Sequence, residues 1–380
     1  MRAKTQSSAA KIEIVPVATA AAGAERLRRA TALVRALLPG PRPRRRHLNL
    51  ALQGGGAHGA FTWGVLDRFL DEEELEFTAI AGASAGAVNA VLVAAGLAEG
   101  GRAGAKAKLE SFWNGLADIV GGMLAHHSAY GGGFASALSP SRLIDLTTRV
   151  LSPYEANPFG LNPLRDLLAR LVDFEKLRRS PLRLHIAATE VANGRGRLFS
   201  TAEISLDVVL ASACLPHLHH AVEIDGRHYW DGGYSANPPL LALAADRRVG
   251  DTLLVQLVPA RRDRLPTQAI EIIDQVNNIV FAAPLRRDVE KIAMTRTRWR
   301  GRFLPFGKSA RIARHRFHLI DAMEDLRAVG PGSRLIADWR TLKELRRRGR
   351  TAADAWLARH GGAIGRNATV DLVAEVLGTE

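Results

Sequence analysis

Two glycine-rich turns thirty residues apart constrain this chain more than any other feature, because each sits between a short apolar run and a helical one. Residues 48–52 read as a strand, followed by Gly54-Gly55-Gly56-Ala57-His58-Gly59 and a helix over 61–70. Residues 77–81 read as a second strand, followed by Gly82-Ala83-Ser84-Ala85-Gly86 and a buried helix of small residues over 85–97. A strand that leads through a helix into another strand pairs in parallel, since a crossover returns the chain to the same end of the sheet. The second unit also imitates a membrane span, because 77–98 carries no charge over 22 residues and meets the length criterion. Gly82, Ser84, Gly86 and Asn89 interrupt it, and strand, sharp turn and buried helix is the better division.

The same pattern recurs downstream. Short apolar strands are expected at 182–188, 221–224, 228–230 and 253–258, with helices after most of them. From Thr267 the chain reads as mainly helical, with one strand at 317–320. Residues 121–139, with Gly131-Gly132-Gly133, read as a loop or lid. The fold class expected is α/β, a three-layer α/β/α sandwich around a mostly parallel sheet, with a helical C-terminal region. With 47% hydrophobic residues in 380 the chain has ample material for a core, which excludes a disordered polymer. Its single cysteine, Cys214, excludes an intramolecular disulfide and a cysteine-based zinc site.

The net charge of +14 is unevenly placed. Residues 1–46 hold eleven Lys/Arg against two acids, and 286–316 hold the same numbers. Residues 47–285 hold 20 bases and 25 acids, so the body of the chain is mildly acidic. A nucleic-acid enzyme would spread its basicity over the working surface. A basic flank suits an anionic membrane or lipid particle. Three regions follow: a flexible Ala/Arg/Pro-rich extension over 1–46, a catalytic core over 47–260, and a helical region over 261–380 on or beside it. Within the extension, 24–38 has the apolar spacing of a basic amphipathic helix, and no signal-peptide core is present.

The first glycine turn suits two chemistries. Gly54, Gly56 and Gly59 match G-x-G-x-x-G, which brings backbone amides up to a pyrophosphate. The same exposed N–H groups can instead form an oxyanion hole. The nucleotide reading expects an acidic residue at the end of the second strand. That strand ends in Ile80-Ala81-Gly82-Ala83, so the nucleotide reading becomes the minor one. What stands there is a G-x-S-x-G between strand and helix, where small neighbours allow a tight turn that lifts a Ser hydroxyl above the sheet. Ser84 then needs a base. His217, His219, His220 and His228 are candidates for a triad, and Asp231, ending an apolar strand before Gly232-Gly233, is the other.

These pieces together resemble the patatin-like phospholipases. The glycine turn, the Ser84 turn, Ala211-Ser212-Ala213-Cys214-Leu215-Pro216 and Asp231-Gly232-Gly233 stand in the family's order over most of 47–258. The resemblance implies a serine esterase that acts on lipid carboxylic esters through a Ser–Asp dyad and an acyl-enzyme, without metal or other cofactor. Ser84 matches the nucleophile and Asp231 the general base. The amides of Gly54, Gly55 and Gly56 match the oxyanion hole, with Gly59, Gly82, Gly86, Gly232 and Gly233 supporting the motifs. One departure is His58, where many relatives carry Arg or Lys. A phospholipid or lysophospholipid is the expected substrate, in a cytoplasmic protein peripheral to a membrane through its basic extension, with no nucleic-acid partner. Two other readings stand beside it: a non-catalytic lipid- or nucleotide-binding module, and a His-dependent α/β-hydrolase.

Overall fold

The structure is a computed structural model that describes residues 45–130, 151–259, 265–299, 307–327 and 338–378, with Glu25, Val329 and Arg334. The expectations for the basic extension, its amphipathic helix, and the glycine triplet at 131–133 lie outside these residues. Contacts divide the chain into Met1–Arg44 and Arg45–Glu380, and the second unit is described here.

Its strands are β1 (Arg46–Leu52), β2 (Leu75–Gly82), β3 (Arg183–Glu190), β4 (Gly196–Ser200), β5 (Val222–Ile224), β6 (Arg227–Asp231), β7 (Asp251–Gln256) and β8 (Arg316–Asp321). They form one sheet in the order β5-β6-β3-β2-β1-β7-β8, with β4 also paired to β3. The five strands β3, β2, β1, β7 and β8 run parallel, while β4, β6 and β5 form an antiparallel edge. The strand expected at each apolar run is present. Only β4 was not expected, because its five residues alternate exposed and covered side chains beside Arg195 and Arg197 instead of forming an apolar run.

The principal helices are α1 (Gly59–Phe69), α2 (Ala85–Tyr130), α3 (Pro163–Leu171), α4 (Leu206–Ser212), α5 (Leu240–Ala244), α6 (Ala269–Trp299), α7 (Trp339–His360) and α8 (Leu372–Leu377). They cover both faces of the sheet, as the two-residue period of a strand requires. On one face Leu48, Leu50, Leu52, Ile80 and Ile186 pack with α1, α2, α3, α4 and α7. On the other, Ala51, Ala79, Ala81, Leu254 and Phe317 pack with α5, α6 and α8. Small residues on that second face let its helices lie close to the sheet. The C-terminal third therefore adds an edge strand and contributes helices to both outer layers.

Helix α2 changes direction at Gly100 and Gly101, the only non-helical residues within it. Beyond them it runs to Tyr130, so the described half of the expected 121–139 loop is helical. Gly121 and Gly122 face open space, and the helix formers on either side carry the backbone through them.

Helices α1 and α7 touch backbone to backbone. A Cβ on Gly64 would collide with the carbonyl oxygen of Arg346, and one on Gly349 with that of Phe61. Beside this crossing the buried carboxylate of Asp67 accepts from Arg346 at 3.0 Å and Arg350 at 2.7 Å, with Lys106 at 3.3 Å. Helix propensity alone would make Gly349→Ala stabilising by about 0.8–1.0 kcal/mol. The backbone contact dominates, because the helices must part to admit the methyl group. The expected result is a loss of about 1–3 kcal/mol in urea unfolding, and a gain in stability would contradict the crossing.

Candidate active site

The sheet register assembles the site before any side chain is considered. Leu52 of β1 pairs with Gly82 of β2, and Gly82 pairs with Ile186 of β3. Two residues past Leu52 is Gly54, and two past Gly82 is Ser84, so the two turns crest side by side. On β3 the position two past Ile186 is Ala188, which pairs with Asp231 of antiparallel β6. Asp231 thus arrives level with Ser84, although 147 residues separate them. This is the carboxyl end of a parallel sheet, where α/β folds place their ligand sites.

Ser84 has φ of 53°, the left-handed region that a non-glycine residue occupies only under constraint. Two things hold it there. Its N–H donates to Ser212 at the end of α4, to the carbonyl oxygen at 3.1 Å and to Oγ at 3.2 Å. Its flanking glycines allow the backbone to fold tightly, since a Cβ on Gly82 would lie 2.7 Å from the Gly86 carbonyl and one on Gly86 would strike the end of β1. Helix α2 starts at Ala85, so its positive end lies behind the serine.

Asp231 is fully buried. Its N–H donates to the Cys214 carbonyl oxygen at 2.8 Å, and its carbonyl oxygen accepts from Thr189 Oγ1 at 2.8 Å. Its Oδ1 accepts from the Gly233 N–H at 2.7 Å. Burial pushes the carboxyl up from 3.8 to about 7, against the opposing pull of the Gly233 amide and the Ser84 hydroxyl. The hydroxyl is close enough to exert that pull yet falls short of a full hydrogen bond, and Oδ2 has no protein partner among the described residues. The segment 211–216 therefore grips both turns, Ser84 through Ser212 and Asp231 through Cys214. Cys214 itself is buried, its thiol pushed up to about 12 by burial and by the charge of Asp231.

The glycine turn lies against the serine, and a Cβ on Gly54 would fall 2.7 Å from Ser84 Cβ. The Gly54 N–H is already engaged, donating to Asn237 Oδ1 at 2.7 Å. No described hydrogen bond engages the N–H of Gly55 or Gly56, the cap and first residue of the helical turn Gly56–His58. Gly59 starts α1, where a Cβ would meet Ala85 Cβ at 2.7 Å. Gly232 packs on the Ala187 carbonyl and Gly233 on the Phe281 ring. Asn237 was not singled out in the sequence. It holds the glycine loop and, through Nδ2, the Phe281 carbonyl of α6 at 3.1 Å. Gln53 was also missed; its Oε1 accepts from the N–H groups of Leu257 and Val258, each at 2.7 Å.

The histidines stand apart from this pair. His220 stacks on Tyr154 with ring centroids 4.1 Å apart and contacts the Pro153 carbonyl. His228 lies at the surface beside Glu223, and His217 is exposed. None of the described hydrogen bonds joins His217, His219, His220 or His228 to Ser84 or Asp231. His58 is buried behind the glycine loop, pushed down to about 3 by burial and by the charge of Arg334, and so is neutral. Arg334 also lies over the loop, its carbonyl oxygen 2.5 Å from where a Cβ on Gly56 would be.

The chain is similar to several known proteins. Among solved structures, VipD from Legionella pneumophila is similar at 15% identity and a TM-score of 0.35, over 82% of this chain and 67% of that one. The heterodimeric ExoU–SpcU complex from the type III secretion system of Pseudomonas aeruginosa is similar at 18% identity and a TM-score of 0.25, over 85% of this chain. The chain spans only 60% of the length of that second one. No curated protein matches the chain. The sequence pattern that defines the patatin-like phospholipases matches residues 50–244. Those residues include both glycine turns, Ser84 and Asp231, and make up just over half of the 380, so the chain belongs to the patatin-like phospholipase family.

Proposed function

We propose that this protein is a serine acyl hydrolase that cleaves carboxylic esters of phospholipids or lysophospholipids through Ser84 and Asp231. The observation that carries the proposal is the register, which sets a strained Ser84 beside a buried carboxylate whose Oδ2 has no hydrogen-bond partner among the described residues. The Ser84 oxygen attacks the ester carbonyl while its proton passes to Asp231. The developing oxyanion falls to the N–H groups of Gly55 and Gly56, since Asn237 occupies that of Gly54. Asp231 returns the proton to the leaving alkoxide, which departs as the alcohol. A water then gives a proton to Asp231 and attacks the acyl-enzyme, and that proton ends on Ser84. A carboxyl held near 7 is a stronger base than an exposed aspartate and is suited to work near neutral pH. Among the described residues no histidine is hydrogen-bonded to Ser84, as the His-dependent alternative would require, and a purely binding module would have no use for the strained serine. Peripheral attachment to an anionic membrane through the basic extension belongs to the same proposal, and no described helix is long and apolar enough to cross a membrane.

Ser84→Ala is expected to abolish ester hydrolysis and fluorophosphonate labelling while leaving thermal unfolding unchanged. Turnover that survives in this variant, or labelling at another residue, would remove Ser84 from the mechanism.

The base sets the pH dependence. Asp231 must be ionised to accept a proton, so kcat/KM is expected to rise with pH through a midpoint near 7. Asp231→Asn is expected to lower turnover by about 10²–10⁴-fold or more. Stability runs in the opposite sense. A folded pKa raised above 3.8 means that the native state binds the proton more tightly, so this group's contribution falls as pH rises from 3.8 through 7. The Asn variant should therefore melt above wild type at pH 8, with the difference shrinking toward pH 4. An activity profile flat across neutrality would rule out Asp231 as the base.

For the extension, removing residues 1–44 is expected to spare hydrolysis of a soluble short-chain ester. It should weaken sedimentation with anionic vesicles at low salt, each Lys or Arg near the surface contributing about 1 kcal/mol. Equal sedimentation of the two proteins would leave the extension without a membrane role.

A further inference from the structure

Helix α6 leaves one face of its first half uncovered, and that face is apolar. Ile272, Val276, Ile279 and Val280 are 45%, 54%, 59% and 38% exposed. Their spacing of four, three and one places them on one stripe of a helix. Between Glu271 and Arg286 the only charged residue is Asp274, which is half-buried. Soluble proteins rarely leave an aligned apolar stripe of this length in water unless something docks there.

Two further observations identify the occupant. After the stripe the exposed side of the helix becomes charged and net basic, with Arg286, Arg287 and Lys291 exposed beside one exposed acid, Glu290. An apolar face continued by basic residues is the pattern of a helix that lies in the interface of an anionic bilayer. The stripe is also continuous with the candidate active site. Phe281, the residue after Val280, lies against Gly233 beside Asp231 and packs with Tyr234 at 4.9 Å between ring centroids. The Phe281 carbonyl is held by the same Asn237 amide that accepts from Gly54.

We infer that the exposed face of α6 from Ile272 to Lys291 is the surface by which the protein sits on an anionic phospholipid membrane, with the stripe immersed next to the mouth of the site. The inference rests on the esterase reading, since it gives a water-insoluble ester a short path from the bilayer to Ser84. It is separate from the basic extension, because the substitutions below alter the stripe and leave residues 1–46 intact. High salt screens the basic residues of both surfaces and leaves immersion of the apolar stripe intact.

The test uses the full chain with Val276→Glu and Ile279→Glu combined, and Val276→Leu with Ile279→Leu as the conservative pair. Binding is read by sedimentation with vesicles of phosphatidylcholine and phosphatidylglycerol in equal parts, at low and high salt, in a Ser84→Ala background so that turnover plays no part. The Glu pair is expected to lose about tenfold or more in vesicle affinity at both salt concentrations, and the Leu pair to bind as the parent does. With Ser84 intact, the Glu pair should hydrolyse a soluble short-chain ester at the parent rate, which also shows that it is folded. Unchanged vesicle binding by the Glu pair overturns the inference. So does a parent protein that is a dimer and that the Glu pair makes monomeric with no change in vesicle binding, because the stripe then covers a second copy. If the esterase reading alone is wrong, neither short-chain nor lipid ester is hydrolysed, whatever the sedimentation shows.

Discussion

Parallel pairing of β1 with β2, in a register that brings Leu52 opposite Gly82, is the constraint from which the candidate site follows. It forces two chain reversals to occur side by side, where ordinary side chains would collide. Gly54 faces Ser84, and Gly86 faces the end of β1, each at a distance that a Cβ does not survive. Glycine removes the collision at the expense of backbone entropy. The apolar strands below, buried on both faces by Leu48, Leu50 and Leu52 and by Ala51, hold the register against slipping. The strain at Ser84 is thus supported by the sheet rather than by its own turn.

A second tension lies in Asp231. A carboxylate taken wholly out of water is costly unless it is well bonded, and this one has the Gly233 amide and an incomplete contact to Ser84. The molecule tolerates it because burial does not forbid ionisation but delays it to neutral pH. Asp67 shows the opposite solution. Equally buried, it is surrounded by Arg346 and Arg350 of α7 and Lys106 of α2, and it ties α1 to both helices. Two buried aspartates of similar exposure thus have different roles, and the number of cations around each sets them apart.

The parallel layout, the two turns and the positions of most strands were legible because each is local. An apolar run of five residues ending in glycines gives the same signal wherever it stands. The meeting of Ser84 and Asp231 was not legible from spacing, since it depends on β6 pairing antiparallel to β3; the residues alone left Asp231 as one candidate beside four histidines, and the family resemblance singled it out. Asn237 was invisible for a related reason. An Asn before two prolines is an ordinary turn, and its work lies in contacts with Gly54 and Phe281, one distant in the chain and both to backbone atoms. The helix through Gly121 and β4 were misread or missed because composition there points the wrong way. The sequence reading of the C-terminal third as helical left open that α6 and α7 would settle on opposite faces of the sheet, which depends on the sheet being in place.

The arrangement around Cys214 has a practical consequence for pharmacology. Its backbone is part of the scaffold that holds Asp231, while its thiol is sealed in and kept protonated far above neutral pH. The chain has no other cysteine. A native sample should therefore be indifferent to maleimides, mild oxidants and the reducing agents used in purification, since thiolate character and access govern all three reactions. Under the proposed mechanism, covalent inhibitors of this protein are to be sought among serine-directed electrophiles, and capture at Cys214 is not expected to compete.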